Sequence, residues 1–387
     1  MAAEPRAPGR IRVGFDARWY NDSGVGSYVR GLLGVLAQLR DDVELLIYED
    51  AANPVPLPEG ATVQRIAVKA KKYSAAEQIE LARRCSQDAL DLFHSPFYVV
   101  PLFARCPVVL TVHDLIPFLF RIYSRSKQVL VRGGYRMAGR KAQHIIANSR
   151  TTAHDVEKIL GIESSRISVV HLAAHESFKP EAGAGELEFL REKYHIRPPY
   201  LLLPSARNWR TKNLETGLQV AQAARRSGLE FQTIIYGAPE GMRAAVGEVR
   251  GRSVDLTYIG YVPTADLAIL FRHAAALIAP SFYEGFGLPL LEAMSCGCAV
   301  LTSGGGALAE VAGNGAQVFE PTDVSGMTAA LAVLLRDEDT WWRWRHAAQR
   351  RACQFSWRRA ALETLAVYRR IVPRANCEGS AMTVCSG

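Results

Sequence analysis

Short runs of β-branched and other apolar residues alternate with amphipathic helical patterns along most of the chain. In the first half, seven such runs lie between 11 and 173, and apolar residues recur at helical spacing over 25–39, 124–141 and 150–160. A second series of six apolar runs follows between 200 and 321. Strands that alternate with helices in this way predict parallel sheets built from βαβ units.

The alternation is interrupted once, over 175–199, where polar residues, glycine and proline predominate. At 387 residues the chain is long enough for two domains. We therefore predict an α/β protein with two doubly wound domains that face each other across a cleft at the carboxyl ends of their strands. The predicted segments are a disordered N-terminus over 1–10, a first domain over 11–178, a linker over 179–198, a second domain over 199–355, an amphipathic helix over 356–372 and a disordered tail over 373–387.

Composition places the chain among globular proteins without a membrane-spanning segment. Apolar residues make up 49% and charged residues 22%, which is enough to build full cores. The chain has no run of about 18 apolar residues, and residues 1–10 lack the apolar stretch of a signal peptide. Seven cysteines without a Cys-x-x-Cys pair argue against a zinc site or a disulfide framework, so a cytoplasmic location is expected. The formal charge of +8 suits anionic partners.

A loop with two carboxylates is the most informative local feature of the sequence. In "SFYEGFGLPLLEAMSCG", Pro289 favours a helix start, so Glu284 and 285–287 fall on a loop and Glu292 about one turn into a helix. Loop N–H groups can face a pyrophosphate or a sugar, and carboxylates accept hydrogen bonds from hydroxyl groups. A nucleotide sugar, with a diphosphate between two hydroxylated rings, satisfies both requirements. Taken singly, Glu292 is typical of a solvated helix residue and Glu284 of a loop cap.

A basic loop follows the first predicted strand of the second domain. Arg207, Arg210 and Lys212 lie in "SARNWRTKNLETG", between that strand and the next helix. Cations at this position can neutralise a diphosphate and the charge that develops on it when a sugar leaves. A solvated basic loop is the structural alternative.

His113 and Asp114 end an apolar strand in "VVLTVHD", so both are expected to face the cleft. The histidine can hydrogen-bond a sugar hydroxyl or exchange a proton near neutral pH. Asp114 can orient it, although aspartate is also a common turn residue at a strand end. Two other patterns are interpreted as structural: the Asp-x-Asp of 337–339 as a helix cap, and the "CGC" of 296–298 as core.

Together these motifs resemble those of the retaining glycosyltransferases of family 4, which have the GT-B fold of two Rossmann-like domains. The likeness extends over 11–372, and its most specific element is the Glu-x7-Glu signature from Glu284 to Glu292. Other matches are "FDARWYNDSGVGSYVRGLL", "VVLTVHDLIPF", "IIANSRTTAHDV" and "RNWRTKNL". The first-domain pattern is most similar to the mannosyltransferase-like branch, and the resemblance implies that the C-terminal helix crosses back to the first domain.

The resemblance implies a role for each matching position. These roles are Arg207 and Lys212 on the donor diphosphate, Glu292 on the ribose, Glu284 with the backbone of Gly285, Phe286 and Gly287 on the sugar hydroxyls, Tyr261 and Val262 on the base, His113 near the transferred sugar, and Gly24 and Gly26 below the diphosphate. In this class, retention is pictured without a protein nucleophile, because the leaving diphosphate deprotonates the acceptor on the face from which it departs. The protein then supplies positioning and positive charge.

The function implied by the resemblance is transfer of a hexose from a nucleotide sugar to a hydroxyl group, with retention and without a metal or cofactor. Mannose is the preferred sugar, with GDP-mannose or alternatively a UDP-sugar as the donor and a glycolipid or surface polysaccharide as the acceptor. The first domain is expected to bind the acceptor and the second the donor. The alternatives are a sugar-nucleotide epimerase on the same fold and a non-catalytic nucleotide-sugar-binding subunit.

The window 115–154 contains eight Arg or Lys residues and no Asp or Glu. Apolar residues are interleaved with these charges, which predicts a basic amphipathic helix over 124–141. Such a helix can lie on an anionic membrane surface, so a peripheral contact through 121–141 on the inner face of the cell membrane is expected. A solvated basic face over an ordinary core stripe is the alternative. Nucleic-acid binding is not predicted, because neither an aromatic platform nor a known binding module accompanies the charge.

Overall fold

The computed structural model describes residues 10–22, 24–39, 41–57, 63–206, 209–239 and 256–372. The termini predicted to be disordered lie outside these ranges, apart from residue 10. The strands are β1 (Ile11–Asp16), β2 (Val43–Asp50), β3 (Gln64–Val68), β4 (Leu92–Ser95), β5 (Val108–Val112), β6 (His144–Ala147), β7 (Ile167–Val169), β8 (Tyr200–Ser205), β9 (Gln232–Gly237), β10 (Leu256–Gly260), β11 (Ala276–Ala279), β12 (Val300–Ser303) and β13 (Gln317–Phe319).

Helices lie between most of these strands. They are α1 (Val25–Leu36), α2 (Ala75–Gln87), α3 (Ile116–Leu119), α4 (Arg125–Lys141), α5 (Arg150–Leu160), α6 (Glu186–Tyr194), α7 (Trp209–Lys212), α8 (Leu214–Arg226), α9 (Thr264–His273), α10 (Leu288–Ser295), α11 (Leu308–Ala312), α12 (Val324–Arg336), α13 (Glu338–Ala352) and α14 (Trp357–Ile371). Short 3-10 helices cover Ala17–Trp19, Ser164–Arg166 and Gly313–Gly315. Each apolar run predicted as a strand coincides with an observed one, so the predicted α/β architecture is confirmed.

Both sheets have the strand order of doubly wound nucleotide-binding folds. The first is ordered β3-β2-β1-β4-β5-β6-β7 and the second β10-β9-β8-β11-β12-β13. Strand β1 pairs in parallel with β2 and β4, and β8 pairs in parallel with β9 and β11. The order therefore reverses at β1/β4 in one sheet and at β8/β11 in the other. At each reversal the following loops diverge, which leaves a crevice beyond the carboxyl ends of the strands.

The core of the second sheet explains why its strands are continuous apolar runs. Leu201 and Leu203 on β8 and Ile278 on β11 are fully buried in one cluster with Leu218 of α8 and Leu331 of α12. A central parallel strand with helices over both faces has no polar side. Its hydrophilic side chains are consequently confined to the loops at its ends, and these loops carry the site.

By backbone contacts, the described residues divide into two compact units. One takes in 10–111, 136–146 and 361–372, and the other takes in 112–135 and 147–360, both with the gaps given above. Helix α14 begins in the second unit and ends in the first, so the C-terminal helix crosses as predicted. Within the first unit, the hydroxyl of Tyr368 on α14 lies 2.5 Å from Nδ1 of His94 on β4.

The segment predicted as a linker over 179–198 contains helix α6. Arg272 on α9 pairs with Glu186 through Nη2 and Oε1 at 2.5 Å, and Lys193 pairs with Asp266 on α9 at 2.6 Å. Charged side chains therefore attach α6 to α9 within the second unit. In the described part of the chain, no helix combines the length and the apolar character needed to cross a membrane.

Candidate active site

The reversal of strand order in the second sheet brings two predicted site residues together. The loops after the neighbouring strands β8 and β11 carry Lys212, at the end of α7, and Glu284. Lys212 Nζ lies 2.7 Å from Glu284 Oε1, and each side chain is only 15% exposed. The same Oε1 atom accepts a hydrogen bond from Ser281 Oγ at 2.8 Å. The carboxylate that would repel a phosphate is thus neutralised by the loop of the adjacent strand.

Residues 285–287, termed the glycine loop below, have no room for side chains at either glycine. A Cβ on Gly285 would lie 2.0 Å from the carbonyl oxygen of His113. Gly287 has a φ of +96° at the N-cap of α10, where a residue with a side chain would be strained. Phe286 between them is buried. The two glycines therefore let the buried main chain at the start of α10 pack closely against its neighbours.

Hydroxyl groups at the start of α5 hold the glycine loop against the strand end that carries His113. The carbonyl oxygen of Gly285 accepts hydrogen bonds from Ser149 Oγ at 2.7 Å and Thr152 Oγ1 at 3.1 Å. Asn148 Nδ2 donates to the carbonyl oxygen of His113 at 2.8 Å. One turn of chain therefore fixes both His113 and the glycine loop, which places two predicted site elements side by side.

Ser149 and Thr152 were not singled out by the sequence, although "IIANSRTTAHDV" contributes to the family resemblance. The available signal was a serine before a helical pattern, and Ser149 does cap α5 by accepting from the Thr152 N–H at 3.0 Å. A cap predicts contacts within its own helix only. The partner Gly285 lies 136 positions further along the chain, so no local pattern marks that bond.

Asp114 belongs to a group of carboxylates beside the glycine loop. Burial raises its pKa to about 6, and the charges of Glu284 and Asp155 act in the same direction. Its Oδ1 accepts a hydrogen bond from the Ile116 N–H at 2.9 Å, which opposes these effects. This bond is the strand-end turn that the sequence left open as the alternative to orienting His113.

The raised pKa of Asp114 predicts how an Asp114→Asn variant responds to pH. Between about pH 4 and pH 6 the folded protein keeps a proton that the unfolded chain has lost, so the free energy of unfolding of the wild type decreases as pH rises through this window. Asparagine does not ionise and can still accept from Ile116. The variant should match the wild type near pH 4 and exceed its free energy of unfolding by about 3 kcal/mol above pH 6.

Urea denaturation at several pH values between 4 and 8 measures this difference for Asp114→Asn. The exposed carboxylate Asp41 provides the control, because Asp41→Asn should follow the wild-type pH profile. A constant difference between Asp114→Asn and the wild type across the range would show that Asp114 titrates like an ordinary carboxylate.

A second set of contacts anchors the chain on both sides of the glycine loop. The carbonyl oxygen of Glu284 accepts from the Ala307 N–H at 2.9 Å. Glu310 accepts from the Arg150 N–H at 2.9 Å and lies 2.6 Å from His171 Nε2. Although burial opposes it, these partners hold the pKa of Glu310 below its usual value. Glu310 therefore acts as a charged tie between α11 and the start of α5.

Three predicted donor-binding residues lie around the rest of this sheet edge. Glu292 is half-buried on α10, while Tyr261 and Val262 follow β10. Tyr261 is 85% exposed and Val262 is buried, so this turn presents one aromatic ring to solvent. Tyr236 at the end of β9 was not predicted. Burial, followed by the charges of Glu292, Cys298 and Glu284, raises the pKa of its phenol.

The remaining predicted site residues are Gly24, Gly26 and Arg207. Gly24 is exposed, with a φ of +74° at the N-cap of α1. Gly26 is buried in α1, where a Cβ would lie 2.5 Å from the carbonyl oxygen of Tyr20. Both glycines belong to the first unit. Arg207 lies outside the described residues.

The two patterns interpreted as structural are confirmed as such. The Asp337 side chain caps α13 by accepting from the Asp339 and Thr340 N–H groups. Cys296 and Cys298 are fully buried.

Two family models match consecutive parts of the chain. One, described as Glycosyltransferase Family 4, matches 23–175, and one described as Glycosyl transferases group 1 matches 188–351. The chain belongs to glycosyltransferase family 4. The two sheets of this glycosyltransferase form the centres of the two Rossmann-like domains of the GT-B fold.

Three known proteins show what this glycosyltransferase is similar to. The O-antigen chain mannosyltransferase B of Escherichia coli is 27% identical over 381 residues, covering 90% of this chain and 97% of that protein. The serotype-specific mannosyltransferase WbdA of Escherichia coli is 29% identical over 273 residues, covering 65% of this chain but only 32% of WbdA. The crystal structure of Anabaena HepE in complex with UDP and glucose aligns with a TM-score of 0.69 at 17% identity, covering 93% of this chain and all of that one. At this identity the last likeness concerns the fold.

Proposed function

We propose that this glycosyltransferase transfers a hexose from a nucleotide-diphosphate sugar to a hydroxyl group of a glycan or lipid-linked acceptor, with retention and without a metal. The observation that carries the proposal is the Lys212–Glu284 pair beside the glycine loop, at the β8/β11 reversal. A cation suited to a diphosphate and a carboxylate suited to hydroxyl groups lie there within reach of one ligand.

The proposed roles of the individual residues follow the family pattern. They are Lys212 and Arg207 on the diphosphate, Glu284 and the backbone of Gly285, Phe286 and Gly287 on the sugar, Glu292 on the ribose, Tyr261 and Val262 on the base, His113 beside the transferred sugar, and Gly24 and Gly26 below the diphosphate. The exposed ring of Tyr261 supports its role, because an aromatic face is what a nucleobase stacks on. The proposed domains are the acceptor domain over 11–178 and the donor domain over 199–355.

The proposed reaction needs positive charge more than it needs a nucleophile. As the bond between the anomeric carbon and the diphosphate breaks, negative charge grows on the leaving oxygen, and Lys212 can donate to it while keeping its contact with Glu284. The departing phosphate oxygen takes the proton of the acceptor hydroxyl, whose oxygen then bonds to the anomeric carbon from the same face. Because Lys212 and Arg207 interact most strongly with the fully developed charge, they lower the barrier.

The proposed sugar is mannose and the proposed donor is GDP-mannose. The names of the two Escherichia coli relatives support mannose, and a growing surface polysaccharide or glycolipid is the proposed acceptor because both are serotype or O-antigen enzymes by name. A UDP-sugar is the alternative donor, since HepE was crystallised with UDP.

Release of nucleoside diphosphate from a panel of GDP- and UDP-sugars, with and without glycolipid extract, tests the proposed function. We expect GDP release from GDP-mannose that increases with acceptor, an α-linked product, and an unchanged rate after chelation of metals. A sugar that is interconverted without diphosphate release would identify an epimerase. Tight binding of a nucleotide sugar without turnover in any condition would identify a binding subunit.

We also propose that helix α4 rests on the anionic inner surface of the cell membrane. Val129, Leu130 and Met137 are 69%, 75% and 51% exposed. Helical spacing puts all three on one face. Exposed cations flank this face, namely Arg125, Lys127, Arg136 and Arg140. A helix that lies in the lipid headgroup layer carries large apolar side chains on the face that enters the layer and basic side chains around that face. A helix that only packs against a protein core would expose few large apolar side chains.

The double variant Leu130→Asp with Met137→Asp should bind vesicles of phosphatidylglycerol and phosphatidylcholine at least about a hundred-fold more weakly, because each of the two apolar side chains contributes about 1.5–3 kcal/mol when it is buried in lipid. Vesicle sedimentation measures the loss, and wild-type binding should weaken as salt rises. Val333→Asp, at a half-exposed position on α12, is the matched control and should bind like the wild type. Unchanged sedimentation of the double variant would exclude α4 as the contact.

A further inference from the structure

Aromatic side chains gather at the carboxyl edge of the first sheet, around its own reversal of strand order. Trp19 follows β1, Tyr73 follows β3, and Phe97 and Tyr98 follow β4. These strands belong to one sheet and run parallel, so the segments after them lie at the same edge. The ring centroids of Tyr73 lie 5.8 Å from Trp19 and 6.2 Å from Tyr98, and those of Phe97 and Tyr98 are 4.4 Å apart. These four residues are termed the aromatic platform.

Tyr73 is the exposed member of the aromatic platform. Its side chain is 62% exposed, whereas its neighbour Trp19 is 2% exposed. Tyr73 also has a φ of +67°, a left-handed conformation that a bulky residue rarely adopts. Strain of this kind persists only where the surrounding structure enforces it, and such positions cluster at ligand sites.

A buried ion network enforces the conformation of Tyr73. Glu77 Oε2 accepts from the Tyr73 N–H at 2.7 Å, and Glu77 Oε1 pairs with Arg18 Nη2 at 2.6 Å. Arg18 also bonds to Asp16 through Nε at 2.8 Å and Nη2 at 2.7 Å, and Asp16 accepts from Trp19 Nε1 at 3.3 Å. Because burying three charges contributes little net stability, the clearest effect of the network is to fix the Tyr73 backbone and the Trp19 ring.

Charged groups that can bind hydroxyls lie beside the rings. Lys72 Nζ lies 4.3 Å from the centroid of the Trp19 ring and 2.9 Å from Asp22 Oδ2. The Lys72 and Asp22 side chains are both partly exposed. An acyl chain on this surface would desolvate the ion pair without replacing its hydrogen bonds. A sugar ring has an apolar C–H face for the aromatic side and hydroxyl groups for the charges.

We propose that the aromatic platform binds a pyranose ring of the acceptor, with the C–H face of the sugar on Tyr73 and Tyr98 and its hydroxyls toward Lys72 and Asp22. The proposal rests on the proposed function, because it takes this edge of the first sheet as the acceptor side. It narrows the acceptor to one that already carries sugar residues, and a bare lipid phosphate does not meet this requirement.

Oligosaccharide binding by the full chain in the absence of donor tests the aromatic platform. The probes are tetrasaccharides of mannose, glucose, galactose and N-acetylglucosamine, followed by saturation-transfer NMR and calorimetry. At least one should bind the wild type, and Tyr73→Ala should weaken its binding about five- to ten-fold through the lost ring contact. Tyr73→Phe keeps the ring and should stay within about two-fold of the wild type. Tyr73→Gly relieves the left-handed strain and should still lose affinity like Tyr73→Ala.

The controls separate the platform from the reaction. Phe103→Ala removes an aromatic side chain of similar exposure in the same unit and should bind the probe like the wild type. Diphosphate release by the wild type is measured in parallel with each donor, so its absence in every condition would contradict the proposed function alone. The platform proposal is overturned if no tetrasaccharide binds the wild type, if Tyr73→Gly binds as tightly as the wild type, or if only lipid binds.

Discussion

Replacing Lys212 with alanine is expected to lower the rate of sugar transfer about a hundred- to a thousand-fold. Lys212 is the described cation at the β8/β11 reversal that contacts Glu284, at 2.7 Å. Its loss removes positive charge at the point where the leaving diphosphate gains negative charge, and it leaves Glu284 to repel that diphosphate. Both effects are larger in the transition state than in the ground state, so kcat should fall more than KM rises. Steady-state kinetics with the accepted donor measures the two separately.

A stability effect accompanies the Lys212→Ala change and must be separated from the catalytic one. Because the Glu284 side chain is only 15% exposed, leaving it unpaired should lower the free energy of unfolding by about 1–3 kcal/mol. The double variant Lys212→Met with Glu284→Gln has a neutral pair of similar size, so it should recover most of the stability and none of the activity. Recovery of activity in the double variant would mean that Lys212 serves only to neutralise Glu284.

Replacing Gly285 with alanine is expected to reduce activity more than about a hundred-fold while the protein still folds. The new Cβ would lie 2.0 Å from the His113 carbonyl oxygen and 2.8 Å from the Asp114 Cβ. The backbone must shift to remove these clashes, which should lower the free energy of unfolding by about 1–3 kcal/mol. The shift also breaks the hydrogen bonds from Ser149 and Thr152, so the glycine loop moves away from the position proposed for the sugar.

Gly34→Ala is the matched control for Gly285→Ala. Gly34 lies inside α1, and a Cβ there would meet nothing within 4 Å. Alanine in a helix interior should raise the free energy of unfolding by about 0.5–1 kcal/mol and leave activity unchanged. Calorimetry on both variants measures their stability, and transfer assays measure their activity. Normal activity of Gly285→Ala would show that the close approach of the glycine loop to His113 is unnecessary.

Much of the fold could be predicted from local patterns, because each strand and helix is determined by residues near one another in the chain. The run "YLLLPS" is apolar throughout because β8 is covered on both faces, and the observed bounds Tyr200–Ser205 agree with it. The helix predicted over 150–160 is observed as Arg150–Leu160 for a similar reason, since Ser149 caps it and Gly161 ends it in a left-handed conformation. The packing of the polar segment 179–198 could not be predicted in this way, because the ion pairs that attach α6 to α9 join residues far apart in the sequence.

The contact between Glu284 and Lys212 is a feature that local sequence patterns cannot predict. Each residue could be placed on a loop after a strand from the sequence alone, and each could be assigned a chemical type of ligand. Their direct contact could not be derived, because it depends on β8 and β11 being neighbours although β9 and β10 lie between them in the chain. Because this strand order brings Lys212 to Glu284, the lysine neutralises the charge that would otherwise repel a phosphate.

By itself the sequence determined the α/β class, the positions of the strands, the family and the kinds of side chain at each loop, because these depend on short-range periodicity and on motifs. The tertiary structure decided which loops meet. It placed Ser149 and Thr152 on the Gly285 carbonyl group and raised the pKa of Asp114 beside two other carboxylates. It also brought together Trp19, Tyr73 and Tyr98 from the segments that follow three different strands. These features depend on distances between segments that are remote in sequence, and strand order sets those distances when the sheets form.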